Sequence, residues 1–246
     1  MRSLVHGLMF TRGGDALKNT AIFISGSSVP AGQAILDAVL ATFFSSVRVS
    51  VMADPNGSNT TAAAAVLKVL QAAPVGERCA VIFAGTGPVG VRTATLLAKE
   101  GCRVVLTSRQ LARAQDACRW IQKQVQREVL PAAVRDDAAV ARALDGAQIV
   151  LACGAAGIEL VKKEQWAANP AVKVVADVNA VPPTGIGGIE PTDDGMEREG
   201  RLVFGALGIG GLKMKIHRAA VAKLFEQNDL VLDLKEIYRI GKELYS

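Results

Sequence analysis

Val81-Ile82-Phe83-Ala84-Gly85-Thr86-Gly87-Pro88-Val89-Gly90 is the stretch on which the reading of this 246-residue chain turns. An apolar run leads into glycines spaced G-x-G-x-x-G, an amphipathic run follows over 89–100, and a second apolar run comes at 103–107. Strand, glycine turn, helix and second strand in that order form a dinucleotide-binding fingerprint; the glycine spacing alone is generic. Gly85 is expected to permit the tight turn, Gly87 to let the backbone approach a pyrophosphate, and Gly90 to let helix and strand pack closely. Pro88 suits the first helical position, where its missing N–H costs nothing. The free amides there, with Thr86 and Val89 in the same turn, would receive a phosphate.

The same alternation extends in both directions. Short runs rich in β-branched residues at 20–25, 47–52, 79–84, 103–107, 149–152 and 172–177 read as strands. Longer amphipathic runs at 31–44, 58–73, 89–100, 110–129, 137–144 and 157–168 read as helices. Apolar runs without alternation imply strands covered on both faces, hence a mostly parallel sheet and an α/β fold. Ala73-Pro74-Val75-Gly76-Glu77 breaks the pattern and is the expected domain boundary. Residues 1–76 then form one domain, to which 214–246 return, and 77–213 form a Rossmann-type domain. Between 179 and 211 regularity fails apart from a short strand at 202–204; the prolines and two glycine clusters read as a long loop, functional or merely flexible. Helices are expected from about 213 to 226 and from 233 to 245, the second capped by Asp233 with Glu236.

The residues after the second strand, Ser108-Arg109, include no carboxylate to hold a ribose 2′-hydroxyl, and Arg113 follows one helical turn later. Arginine grips phosphate through paired donors and serine adds a hydroxyl, which favours NADP over NAD. Cys153-Gly154-Ala155 ends the strand at 149–152 and is small enough to lie along a ribose and nicotinamide. Asn179 ends the strand at 172–177 and is a candidate for bonding a nicotinamide amide or a substrate, while Asp177 either faces the same ligand or caps a local loop.

In the first domain, Asp54-Pro55-Asn56-Gly57-Ser58-Asn59-Thr60-Thr61 leads into an alanine-rich helix. Ser58 or Asn59 reads as an ordinary N-cap. The surplus of polar groups at Asn56, Ser58, Asn59 and Thr60 reads alternatively as a surface for a flat heteroaromatic substrate, with Ser25-Gly26-Ser27-Ser28 and Gly32 as a second polar wall. Lys213 and His217, four apart, share a helix face, as an acid–base pair or as a surface pair.

Composition narrows the classes further. Half the chain is apolar, 21% is charged and 4% is aromatic, with a net charge of +5. These values exclude disorder, and the scarcity of aromatics with no basic run argues against nucleic acid. Cys79, Cys102, Cys118 and Cys153 lie far apart and read as reduced thiols in a cytoplasmic protein; with two histidines they make no metal site. No uncharged stretch approaches a membrane span, and no cleavage site follows the short apolar start.

Thr11-Arg12-Gly13-Gly14, 56–64, 85–90, Pro182-Pro183, 185–189 and 204–213, in one order, closely resemble the bacterial NADP-dependent methylene-tetrahydromethanopterin dehydrogenases, some of which also act on methylene-tetrahydrofolate. The resemblance runs from about Gly7 to the C-terminus; the strings 56–64 and 205–213 are specific. It implies a pterin-binding domain and an NADP domain closing over a cleft, and a homo-oligomer, trimer or hexamer. It places the family's active-site lysine on Lys213, its nucleotide loop on Gly85 to Gly90 and its 2′-phosphate region on Ser108 and Arg109. Family members carry a further strand–helix segment ahead of the region matched by Gly7, so a shortened N-terminus is expected. The implied reaction moves a hydride from the methylene carbon bridging N5 and N10 to the nicotinamide, and nitrogen lone pairs stabilise the cation left behind. No general base is needed, and Lys213 is expected to orient the pterin. The alternatives are a methylene-tetrahydrofolate dehydrogenase/cyclohydrolase, a shikimate-type dehydrogenase and a non-catalytic NADP-binding protein.

Overall fold

The computed structural model describes residues 1–73 and 78–245. In chain order the elements are α1 (Arg2–Phe10), β1 (Ala21–Ile24), α2 (Val29–Leu40), β2 (Ser50–Ala53), α3 (Ser58–Ala72), β3 (Cys79–Phe83), α4 (Pro88–Lys99), β4 (Arg103–Ser108), α5 (Leu111–Val125) and β5 (Val129–Ala133). They continue as α6 (Asp137–Leu144), β6 (Ile149–Ala152), α7 (Lys163–Ala167), β7 (Val174–Asp177), β8 (Asp194–Arg198), β9 (Arg201–Phe204), α8 (Ala206–Lys223), β10 (Val231–Leu232) and α9 (Leu234–Tyr245). Two compact units result, Met1–Ala63 with Lys213–Ser246, and Ala64–Leu212. Residues 74–77, most of the expected boundary stretch, lie outside the described residues.

The larger unit holds a seven-stranded sheet in the order β5-β4-β3-β6-β7-β9-β8. Every neighbouring pair is parallel except β8 with β9. The order reverses between β3 and β6, and in open α/β sheets ligands bind at that switch point, beyond the carboxyl ends of the strands. Val81 and Phe83 of β3, Val150 of β6 and Val175 of β7 enter one core with Trp166, which is fully buried. The smaller unit has a three-stranded parallel sheet, β1-β2-β10, so its last strand comes from the far end of the chain. Its core joins Val5 and Met9 of α1, Leu36 and Val39 of α2, and Ile24 and Val51 of the sheet.

The sequence reading does not anticipate α1, β8 or β10, and three of the segments it does read fold otherwise than expected. The run 110–129 is not one helix: α5 stops at Val125, Gln126 turns left-handed (φ 52°), and β5 begins at Val129. Pro131 is tolerated in β5 because this is the sheet's edge strand, with no partner required on its outer side. In 157–168 only Lys163–Ala167 is helical; Val161 instead bridges Ile186, and Leu160 and Val161 N–H both donate to Gly185 O. Finally α8 starts at Ala206, so the second glycine cluster is helix and not loop. Gly205 and Gly208 seat that helix on the backbone at 190–193, where a Cβ would stand 2.0 Å from Glu190 O and 2.1 Å from Asp193 O respectively.

Two buried aspartates organise the irregular chain after β7. Asp177 Oδ1 accepts the Asn179 N–H at 2.9 Å and Oδ2 the Ile186 N–H at 3.1 Å. Asp193 takes both arms of Arg198, at 2.7 and 2.8 Å, and the Glu190 N–H at 2.8 Å. Pro182-Pro183 is a cis bond.

Candidate functional site: the glycine turn and the Asn56–Lys213 corner

In the larger unit the glycine turn is fastened to the end of β4. Ala84 N–H donates to Thr107 Oγ1 at 3.2 Å, and Gly85 N–H to Thr107 O at 2.9 Å. Sequence reasoning missed Thr107, although a buried threonine closing an apolar strand is a visible signal. The left-handed residue is Ala84 (φ 49°), not Gly85. Gly85 is required for another reason: a Cβ there would stand 2.9 Å from Leu106 Cγ and 3.0 Å from Ile82 Cγ2. At Gly90 a Cβ would stand 2.5 Å from Gly85 O, so this glycine lets α4 approach the turn, as its spacing predicts. At Gly87 the nearest atom to a Cβ is Cys153 O at 4.0 Å, so the space beside it is open.

That opening has the chemistry of an anion seat. Gly87 is the N-cap of α4 and supplies no side chain, and Pro88 has no N–H. The first-turn amides of Val89 and Gly90 have no carbonyl four residues back within the helix. With the helix dipole they present partial positive charge toward whatever lies beyond Gly87. The residues thus fit a dinucleotide pyrophosphate. Beside them an open groove of about 370 Å³ between α4 and α5 is lined by Thr86, Val91, Arg113, Asp116, Ala117 and Trp120. Ser108 closes β4, nearly buried, with its Oγ accepting the Gln110 N–H at 3.2 Å, while Arg109 and Arg113 are exposed.

Other expected residues are placed differently. Cys153 and Gly154 follow β6, and Ala155 is exposed. Gly154 packs against Leu160 and Ala84, with a Cβ 2.7 Å and 3.4 Å from them. Burial, then the charge of Asp177, push the Cys153 thiol up to about 12, so it stays neutral and is no nucleophile at ordinary pH. Asn179 does not present its amide to a ligand: Oδ1 accepts the Val181 N–H at 3.0 Å and Nδ2 donates to Val181 O at 3.2 Å. Asp177 caps that loop, the second of the two readings, and burial pushes its carboxyl up despite the backbone N–H groups it holds.

In the smaller unit the strand–helix junction is built around a carboxylate. Asp54 is buried; its Oδ1 accepts the Asn59 and Thr60 N–H groups at 2.8 and 3.3 Å, and its Oδ2 the Thr60 hydroxyl at 2.7 Å. Asp54 is therefore the cap, in place of Ser58 or Asn59. Ser58 Oγ donates to Pro55 O at 2.6 Å, and Asn59 Nδ2 to Ala53 O at 2.6 Å. Ser58, Asn59 and Thr60 are all buried with their polar groups turned inward, which corrects their expected contact with substrate. Asn56 alone of that set is exposed, held left-handed (φ 58°), with its N–H donating to Gly26 O at 2.6 Å. Gly32 is no polar wall: a Cβ there would stand 2.9 Å from Pro55 Cβ, so it lets α2 pack on that proline.

The expected lysine does reach this corner. Lys213 Nζ lies 2.9 Å from where a Cβ of Gly57 would stand, so Gly57, also left-handed (φ 59°), makes room for the ammonium. Among the described residues Lys213 has no ion pair or hydrogen-bond partner for its side chain. His217, one turn on, sets its ring edgewise on Phe23 at 5.7 Å. Asn56, Gly57 and Lys213 are thus brought together. The described residues contain no group of three His, Cys, Asp or Glu side chains placed to hold a metal.

An α/β sheet with a switch point, an uncapped glycine turn and arginines after the second strand defines an NAD(P)-binding protein, and an NAD(P)-binding domain model matches residues 73–185. Residues 1–56 match the family model for the N-terminal region of methylene-tetrahydromethanopterin dehydrogenase. The bifunctional protein MdtA of Methylorubrum extorquens is 50% identical over 242 residues, covering 98% of this chain and 84% of that protein. An NAD(P)-dependent methylenetetrahydromethanopterin dehydrogenase of the same organism is 30% identical over 265 residues, 98% of this chain and 85% of that one. The chain belongs to the methylene-tetrahydromethanopterin dehydrogenase family. Among solved structures, quinate dehydrogenase from Corynebacterium glutamicum aligns at 13% identity over 91% of this chain and 98% of that chain, with a TM-score of 0.47.

Proposed function

We propose that this enzyme oxidises methylene-tetrahydromethanopterin, with methylene-tetrahydrofolate as a second donor, by transferring a hydride to NADP in one-carbon metabolism. The observation that carries the reading is the 50% identity to MdtA along 98% of the chain. The open turn at Gly87 and the lysine at Gly57 support it.

The larger unit, Ala64–Leu212, binds the nucleotide, and the smaller unit, Met1–Ala63 with Lys213–Ser246, binds the pterin. NADP, when bound, supplies the hydride acceptor. The α4 amides and the turn Gly85 to Gly90 hold its pyrophosphate, and Ser108, Arg109 and Arg113 select its 2′-phosphate. Cys153, Gly154 and Ala155 leave space for its ribose and nicotinamide. Asn56 and Lys213 orient the pterin by hydrogen bonds. A charged lysine would repel the methenyl cation that forms, so its role is orientation and not charge stabilisation. The chain works in the cytoplasm as a homo-oligomer, a trimer or hexamer. Exposed Leu4, Phe10 and Phe44 of the smaller unit, the two rings 6.1 Å apart, support association.

Mixing the purified protein with methylene-tetrahydromethanopterin and NADP should raise the reduced-nicotinamide absorbance. NADP binding without turnover on either methylene-pterin would overturn the reading in favour of a non-catalytic nucleotide-binding protein.

A further inference from the structure

β5 ends at Ala133, opposite Ser108 in the parallel register with β4. Beyond the strand, Val134 N–H donates to Ser108 O at 2.9 Å, and Arg135 Nε donates to Arg109 O at 2.8 Å. The chain leaving β5 is tied at two points to the chain leaving β4, and its arginine lands on the residue that the 2′-phosphate reading uses. Only Nε is engaged; among the described residues the terminal amino groups of Arg135 have no hydrogen bond or ion pair. The side chains of Arg109 and Arg113 are equally unpaired. The acids of the same segments are occupied elsewhere: Asp116 pairs with Arg119, Asp136 caps α6 through the Ala139 N–H, and Asp137 pairs with Lys162. Three arginines therefore follow two neighbouring strands with no carboxylate set against them, which creates a local positive field suited to an anion.

A guanidinium offers five donors in a fixed fork, so one arginine can hold a carbonyl through Nε and an anion through its terminal nitrogens. We infer that Arg135 is a further specificity-determining residue, which contacts the 2′-phosphate of the nucleotide beside Arg109 while it holds the β4–α5 turn. This rests on the NADP reading. A role as tether alone would act on every nucleotide alike, whereas a phosphate contact acts only on those phosphorylated at the 2′ position.

Calorimetry on the full chain with adenosine 2′,5′-bisphosphate and with adenosine 5′-monophosphate isolates that phosphate. The unaltered protein should prefer the bisphosphate. Arg135→Ala should reduce the preference roughly 10- to 100-fold, the range expected of a hydrogen bond between charged groups, while leaving the monophosphate affinity in place. Arg135→Gln, which keeps a donor for the Arg109 carbonyl without the charge, should do the same and covers the case in which the alanine variant fails to fold. Lys123→Ala removes an equal charge from α5 without freeing Asp116 and should keep the preference. An Arg135 variant that retains the full preference, or that weakens both nucleotides equally, overturns the inference while the NADP reading stands. Equal binding of the two probes by the unaltered protein overturns the NADP reading, and the role of Arg135 with it.

Discussion

The two strand-to-helix junctions β2–α3 and β3–α4 are alike in order and opposite in chemistry. Each leaves a buried parallel strand, passes a left-handed residue (Asn56 at 58°, Ala84 at 49°) and enters a helix. At α3 the first-turn donors are taken by Asp54 from inside the protein. At α4 Gly87 gives them nothing. A negative side chain at a helix N-terminus repels a phosphate, and an empty one attracts it. The comparison shows that a strand–turn–helix unit becomes an anion seat by what is withheld from its cap, and that the polar-rich junction is the structural one.

The largest effect is expected from emptying the filled junction. Asp54→Ala leaves two amides unpaired in a buried site and the Thr60 hydroxyl with only its longer bond to Gly57 O, and should cost about 3 kcal/mol of stability, read from urea unfolding. A loss below about 1 kcal/mol would mean that water replaces the carboxylate there. The converse change fills the empty one. Gly87 has extended backbone (φ −78°, ψ 173°) and free space at Cβ, so Gly87→Asp should cap α4. It should weaken NADP binding about 100-fold while raising the melting temperature by a few degrees, since an acidic cap contributes ~1 kcal/mol. Undiminished NADP binding by that variant would break the comparison outright.

A smaller effect concerns the ligand side of the filled junction. Lys213→Ala should raise the KM for the methylene-pterin roughly tenfold, with little change in the pH profile of kcat. Normal pterin binding with lost hydride transfer and a steep pH dependence would assign Lys213 to proton transfer. The smallest effect lies beside the empty junction. Because burial and Asp177 push the Cys153 thiol up to about 12, Cys153→Ala should leave the pH dependence of nucleotide binding unchanged between about pH 6 and pH 9. The same shift raises the native pKa above the unfolded one. Its contribution to stability is complete below about pH 9 and is lost as the pH climbs toward 12, and Cys153→Ala should lessen that alkaline decline.

The strands of the larger sheet that are buried on both faces were legible, because unbroken apolar runs such as Ile149–Ala152 have few other readings. β5 was not. It is an edge strand with burial on one side, it carries Pro131, and its first residue continues the apolar periodicity of α5. The start of α8 was hidden for the opposite reason. Gly205 and Gly208 look like loop composition, yet they are there because the backbone at 190–193 comes too close for any side chain. At the site, the spacing of Gly85, Gly87 and Gly90 located the turn, but the tasks of the first and of Ala84 emerge only from contacts. Polarity likewise marked Ser58, Asn59 and Thr60 without revealing that they face inward, since a capped helix start and a ligand surface draw on the same residue types.

The smaller unit is assembled from both ends of the sequence: β10 pairs with β2, Asn228 Nδ2 donates to Arg48 O at 2.9 Å, and Ser50 Oγ donates to Gln227 O at 2.7 Å. A ribosome therefore delivers β1 and β2 long before the strand that completes their sheet. Residues 64–212 emerge in between and can settle first, because domains generally fold as units during synthesis. The edge of β2 that receives β10 spends that interval unpaired, which makes the newborn amino-terminal half the natural client for a chaperone and the step at which heterologous expression is most exposed to aggregation.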